Sequence, residues 1–286
     1  MILIYEFAVG EDPGELSKRL WANSIGHRIM PSDRGMQVWL YDPNHIGAAT
    51  AVIQQWQQHP EMAVSAKVKL KPSGIAATFL GSPVTTLILL LTATVALLTS
   101  LGEDLATVSW FTITPFYVSG NSLHFLTLDQ VLEQGQWWRL LTPAFLHFGM
   151  MHIVFNSLWI WDLGRKIEQL VGKLAYLIGF LLVAVGSNLA QFVIDEYPVF
   201  GGLSGVVYGL VGFAWLLPLL LPRIPTLISK PLMVFFLIWL ALGYTDLLGS
   251  VGLGNMANTA HLSGLVGGIC GALLVRLVFR RLGSKF

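Results

Sequence analysis

The chain has 286 residues, of which 54% are apolar and only 12% charged, with a formal net charge of +1. A soluble domain carries about 25% charged residues, so this composition points to lipid as the solvent, and the near-neutral balance gives no basis for a nucleic-acid partner. Cys270 is the single cysteine, which excludes an internal disulfide and a cysteine-built metal site, and no cofactor motif is present.

Residues 1–72 form a distinct, polar segment with acids and bases in balance. Glu6, Glu11, Asp12, Glu15, Lys18 and Arg19 interrupt its start, so it lacks the apolar core of a signal peptide. Met1–Ala8 and Met36–Tyr41 read as strands. Pro13–Ser24, with Leu16, Leu20 and Trp21 on one face, and Pro43–Gln58 read as helices. The order βα(β)βα predicts a small α/β domain, without a nucleotide motif or a catalytic cluster. Lys67, Lys69 and Lys71 follow, and Pro72-Ser73-Gly74 opens a linker over 73–82.

Residues 83–280 then carry a series of uncharged runs, and 281–286 form a short tail. A membrane-spanning helix needs roughly 20 apolar residues. The expected spans are Pro83–Leu101, Phe148–Trp161 with its flanks, Leu174–Ile194, Leu203–Leu221, Pro231–Leu248 and Met256–Val275. The fifth is short, bounded by Lys230 and Asp246. Two crossings are nevertheless needed between the basic clusters Arg223/Lys230 and Arg276/Arg280/Arg281/Lys285 if both lie inside. Lysine and arginine favour cytoplasmic loops. With six spans and a cytoplasmic N-terminus, every one of the 17 basic residues except Arg139 falls on the cytoplasmic side. Glu103, Asp104, Asp129, Glu133, Asp195, Glu196 and Asp246 fall outside. Both termini are then cytoplasmic, and Gly102–Leu146 becomes a long outer loop. Its aromatic residues, among them Trp110, Tyr117, Trp137 and Trp138, suit the membrane interface.

Polar groups at membrane depth are costly and usually face a bundle interior or water. His147, His152 and Asn156 lie at or in the second span, Ser204 begins the fourth, and His261 lies in the sixth. His152 and Asn156 share one helix face by their spacing. Each has a purely structural explanation. The serine could bond back to its own helix, the histidines could pack, and the asparagine could join two helices. Together they place the groups that amide hydrolysis needs on three outer-leaflet helix regions. Gly201, Gly205 and Gly209 recur every fourth residue, as do Ala260, Gly264 and Gly268. Such spacing lets two membrane helices approach closely, and a tight contact of the fourth and sixth spans would bring Ser204 to His261. Packing alone would produce the same glycines. The chain Tyr197–Leu203 should dip below the surface, which requires protein or water around it.

Glu133 to Arg139 (EQGQWWR), His147 to Asn156 (HFGMMHIVFN), Gly202-Leu203-Ser204-Gly205 and Ala260 to Gly268 (AHLSGLVGG) resemble, in order, four motifs of rhomboid intramembrane serine proteases. With a cytoplasmic domain and six spans, the chain looks most like the bacterial GlpG type, and the resemblance covers 75–280 well. It implies an all-α polytopic membrane protein, a six-helix rhomboid bundle carrying the small N-terminal cytoplasmic α/β domain, in the bacterial inner membrane. It implies a protease that cuts transmembrane protein substrates near the outer leaflet, surrounded by membrane lipids, with no cofactor and no metal. Ser204 would be the nucleophile and His261 its general base. His152, Asn156 and the Ser204 N–H would hold the oxyanion. Gly202, Tyr208 and Gly264 would support the site, Tyr208 by stacking on His261. Arg139 and Glu168 would be structural, the Asp246–Asn258 loop would cap the site, and Phe235, Phe236 and Trp239 would line a lateral entry. Pro143 stands where some relatives carry a histidine. The alternative is an inactive rhomboid-like scaffold, but such relatives lose the serine or the histidine. A transporter would need membrane acids and repeated halves, and no HExxH pattern supports a metalloprotease.

Overall fold

A computed structural model describes residues 2–23, 25–33, 35–58, 79–120, 122–222, 224–245 and 256–281, with side chains of the last helix described through Val278. The chain divides into two compact units, Met1–Ala77 and Thr78–Phe286. Most of the expected linker and of the Asp246–Asn258 cap lies outside the described residues.

In the first unit, β1 (Ile2–Glu6), β2 (His27–Ser32) and β3 (Gly35–Leu40) form an antiparallel sheet in the order β1-β3-β2. α1 (Gly14–Ala22) and α2 (Ile46–Gln58) complete the unit. Leu16 and Leu20 of α1 join Phe7, Val38, Leu40 and Ala49 in one buried cluster. Trp21, expected on that helix face, is instead 57% exposed and lies against the His27 ring. It follows Leu20 by one residue, about 100° around a 3.6-residue helix, so the core cannot take both.

The second unit is helical. α3 (Pro83–Leu98) leads to α4 (Leu105–Phe111), the hairpin β4 (Phe116–Ser119) and β5 (Ser122–Phe125), and α5 (Leu128–Glu133). Short 3-10 turns at Trp137–Leu140 and Thr142–Phe145 precede α6 (Met150–Trp159). A π turn over Ile160–Gly164 joins α6 to α7 (Arg165–Val171), so the second expected span is not one regular helix. α8 (Lys173–Asp195), α9 (Ser204–Leu220), α10 (Lys230–Gly243) and α11 (Asn258–Arg281) follow. α8 and the Asn258–Val278 part of α11 are long and apolar enough to cross a membrane, while α3, α9 and α10 are apolar but shorter.

The exterior is apolar: Leu90, Leu182, Ile238 and Leu274 are all exposed. A soluble protein rarely exposes so much contiguous apolar surface, whereas lipid tolerates it. The interior centres on α9, which is apolar all round and buried over Gly205–Gly212. A helix without a polar face belongs in the middle of a bundle.

Two buried charges close helix ends around it. Glu168, on α7, accepts from Val84 N (3.0 Å), Thr85 N (2.8 Å) and Thr85 Oγ1 (2.7 Å). The two N–H groups are orphan donors of the first turn of α3, where a negative charge is also favoured by the helix dipole. Arg139 does the converse at α4, donating Nη1 to the carbonyls of Ser109 (2.7 Å), Trp110 (3.1 Å) and Thr112 (3.0 Å). Both ions thereby satisfy backbone groups that lipid could not.

Candidate active site

Ser204 opens α9 and His261 lies in the first turn of α11. Their side chains meet: His261 Nε2 is 2.7 Å from Ser204 Oγ. The meeting follows from the backbones. A Cβ on Gly264 would fall against the Gly205 carbonyl group, and one on Gly268 against that of Gly209. Side chains would hold α9 and α11 apart, and glycine removes them. Of the three α9-side glycines named by spacing, Gly201 does not belong to this seam. A Cβ there would meet Leu146 Cβ (2.5 Å) and the Pro143 carbonyl (2.8 Å), because Gly201 precedes the helix.

The segment before Ser204 is irregular and largely inside protein, with Pro198, Phe200 and Leu203 buried. Gly202 N–H donates to the Pro143 carbonyl at 3.0 Å. Gly202 has φ +120°, a conformation that side chains oppose, and a Cβ there would sit 2.6 Å from His152 Nε2 and 3.5 Å from Asn156 Nδ2. The tips of His152 and Asn156 therefore converge on the space that Gly202 leaves open, two residues before Ser204. The Ser204 N–H lies at the N-terminus of α9, where backbone donors lack helical acceptors.

Tyr208, one turn beyond Ser204, stacks on His261 with centroids 4.8 Å apart and an interplanar angle of 26°. Its hydroxyl donates to the Phe236 carbonyl at 3.0 Å. His261 Nδ1 is buried and makes no hydrogen bond to the described residues. The ring is thus held by stacking and by Ser204. For Nε2 to accept the Ser204 proton, Nδ1 must carry the hydrogen.

The family model for the rhomboid domain matches residues 134–277. The chain is 31% identical over 258 residues to the "Rhomboid protease GlpG" of Yersinia pestis (strain Pestoides F), covering 86% of each chain. The protein of the same description from Yersinia pseudotuberculosis serotype O:3 (strain YPIII) matches to the same extent. That of Serratia proteamaculans (strain 568) is 42% identical over 134 residues, 47% of this chain and 46% of its own. The chain belongs to the rhomboid family. It is an integral membrane protein and a serine protease, a hydrolase of peptide bonds.

In this rhomboid three supporting side chains had no assigned role at the sequence level. His147 Nδ1 lies 3.1 Å from the Phe145 carbonyl, which fixes the hydrogen on Nδ1 and leaves Nε2 as acceptor. Asn156 Nδ2 then donates to His147 Nε2 at 3.2 Å, which orients the amide and leaves its second hydrogen without an acceptor among the described residues. Gln191 Oε1 accepts the Ala260 N–H at 2.9 Å, tying the start of α11 to α8. Ser187 sits where a Cβ on Gly205 would be, 2.7 Å from its Oγ. Polar residues at four-residue spacing in an apolar span, Ser187, Gln191 and Asp195, were the available signal.

One expectation needs correction. Phe236 is 4% exposed and packs edge-on to Trp159 (4.9 Å) and Tyr208 (5.6 Å), so it is an interior bridge between α6, α9 and α10. Phe235 is the exposed member and stacks on Trp239. Adjacent residues on a helix cannot all face one groove.

Proposed function

We propose that this rhomboid is an intramembrane serine endopeptidase that cuts transmembrane segments near the outer leaflet through a Ser204–His261 dyad. The 2.7 Å approach of Ser204 Oγ to His261 Nε2 is the observation that carries the proposal. Ser204 Oγ attacks the scissile carbonyl carbon while its proton passes to His261 Nε2. The oxyanion so formed takes hydrogen bonds from His152, Asn156 and the Ser204 N–H. His261 then delivers its proton to the leaving amine, and the C–N bond breaks to leave an ester on Ser204. Water attacks that ester with His261 again as base, releasing the acid and restoring Ser204. Each oxyanion donor is worth about 3–4 kcal/mol in the transition state.

The membrane placement belongs to the same proposal. Six spans with a cytoplasmic N-terminus put every basic residue but Arg139 inside, which favours cytoplasmic termini and an outer-leaflet active site in the bacterial inner membrane. α3, α6, α8, α9, α10 and α11 supply the six helices. The substrate is another membrane protein whose helix has locally unwound, since an intact helix hides its amides. The test is labelling of the purified protein with a fluorophosphonate. Wild type should label, and Ser204→Ala and His261→Ala should not. Equal labelling of Ser204→Ala would remove Ser204 as the nucleophile.

A further inference from the structure

Arg139 is 4% exposed, yet no carboxylate among the described residues lies within ion-pair distance of it. Its Nε donates to Gln136 Oε1 at 2.6 Å and its Nη1 to three carbonyls, which leaves Nη2 with no partner among the described residues. Arg139 is also part of the wall of a cavity of about 650 Å³, together with Ala106, Ser109, Trp110, Phe116 and Trp138. Trp110 and Trp138 flank it and are 67% and 50% exposed. A buried cation thus borders an aromatic cavity in the loop that the charge pattern places at the outer interface.

We propose that this cavity binds one outer-leaflet glycerophospholipid, its phosphodiester on Arg139 and its glycerol and upper acyl chain against Trp110, Phe116 and Trp138. The chemistry matches at both ends. Arg139 Nη2 still carries N–H donors for a phosphate oxygen, and guanidinium keeps its charge when buried. Tryptophan is favoured at headgroup level, where its ring meets acyl carbon and its N–H meets water. Burial without a counter-charge pulls the Arg139 guanidinium below its ordinary value, a deficit that a phosphate would relieve. The volume falls within the range of small-molecule sites. The lipid would complete the shell of a residue that already closes the end of α4.

The test is native mass spectrometry of delipidated full-length protein titrated with dioleoylphosphatidylglycerol. One saturable adduct is expected, weakened about tenfold or more in Arg139→Gln and in Ala106→Trp. Arg139→Gln also removes backbone contacts, so Ala106→Trp is decisive: it fills the cavity and leaves the guanidinium in place. Dioleoylglycerol, which lacks the phosphate, should bind at least about tenfold more weakly than the phospholipid. Inorganic phosphate should not displace the lipid. Unchanged affinity in Ala106→Trp, equal binding of dioleoylglycerol, or displacement by inorganic phosphate would each overturn the proposal. The proposal rests on the outer placement of this loop. Labelling of Ser122→Cys by an impermeant maleimide on intact cells, above the Cys270 background, reads that side independently of lipid binding.

Discussion

Gly264 lies directly against Gly205: a Cβ added to Gly264 would collide with the Gly205 carbonyl group, 2.8 Å from its carbon and 3.2 Å from Cα. The obstacle is backbone, which no rotamer change can move aside.

Gly264→Ala should therefore push α11 off α9 and lengthen the Ser204–His261 contact. Overpacking of this kind costs about 1–3 kcal/mol. Gly267→Ala is the matched control, because its Cβ would meet only Val183 Cγ2 at 3.4 Å, an ordinary contact. Thermal unfolding in detergent and fluorophosphonate labelling rates should both drop for Gly264→Ala and stay near wild type for Gly267→Ala. Similar behaviour of the two variants would mean that the close approach does not set the dyad distance.

Tyr208 separates ring from hydroxyl. Tyr208→Phe keeps the stack on His261 and loses the bond to the Phe236 carbonyl, a cost of about 0.5–1.5 kcal/mol in stability with little change in labelling. Tyr208→Leu removes the stack, and no hydrogen bond to the described residues holds the buried Nδ1 side of His261. Its labelling rate should fall about tenfold or more. Equal labelling of the Phe and Leu variants would dissociate stacking from reactivity.

These contacts also show why parts of the molecule were legible in advance. Glycine at four-residue spacing states a close helix approach directly, because the absent Cβ is the cause. Ser204 and His261 stand out because a polar group in lipid needs a reason. Apolar length likewise marks α8 and α11 as helices long and apolar enough to cross a membrane. By contrast, the π turn at Ile160–Gly164 leaves no mark in composition, since it differs from an α-helix only in which carbonyl each N–H reaches. The outward turn of Trp21 was hidden because a strong apolar residue beside Leu20 reads as core. His147 was visible as a misplaced polar group, but its task depends on Phe145 and Asn156, whose meeting is tertiary.

That His147–Asn156 bond gives a graded prediction. If Asn156 serves as the proposed oxyanion donor, Asn156→Ala should lower kcat about 10²–10³-fold on a reconstituted single-span substrate, with KM nearly unchanged. His147→Phe keeps the amide but frees its orientation, so kcat should fall less, about tenfold. Wild-type kcat in His147→Phe would show that the 3.2 Å bond does not position Asn156.

Gln191 joins α8 to the start of α11 and tests support from a distance. It is 5% exposed, and its Oε1 is the acceptor for the Ala260 N–H, one residue before His261. Gln191→Met keeps the volume but leaves that N–H unsatisfied in the interior, at a cost of about 1–3 kcal/mol. Thr259 makes a comparable link to α8, donating to Asp195 Oδ1 at 3.0 Å, but that bond is exposed, on a half-buried threonine and an exposed aspartate. Thr259→Val should then change stability by less than about 0.5 kcal/mol. Unfolding midpoints in denaturant compare the two. Because Ala260 precedes His261, Gln191→Met should also slow labelling, and adding a stabilising lipid should restore the midpoint without restoring the rate. Full recovery of the rate with the midpoint would make Gln191 a stability residue only, with no part in placing His261.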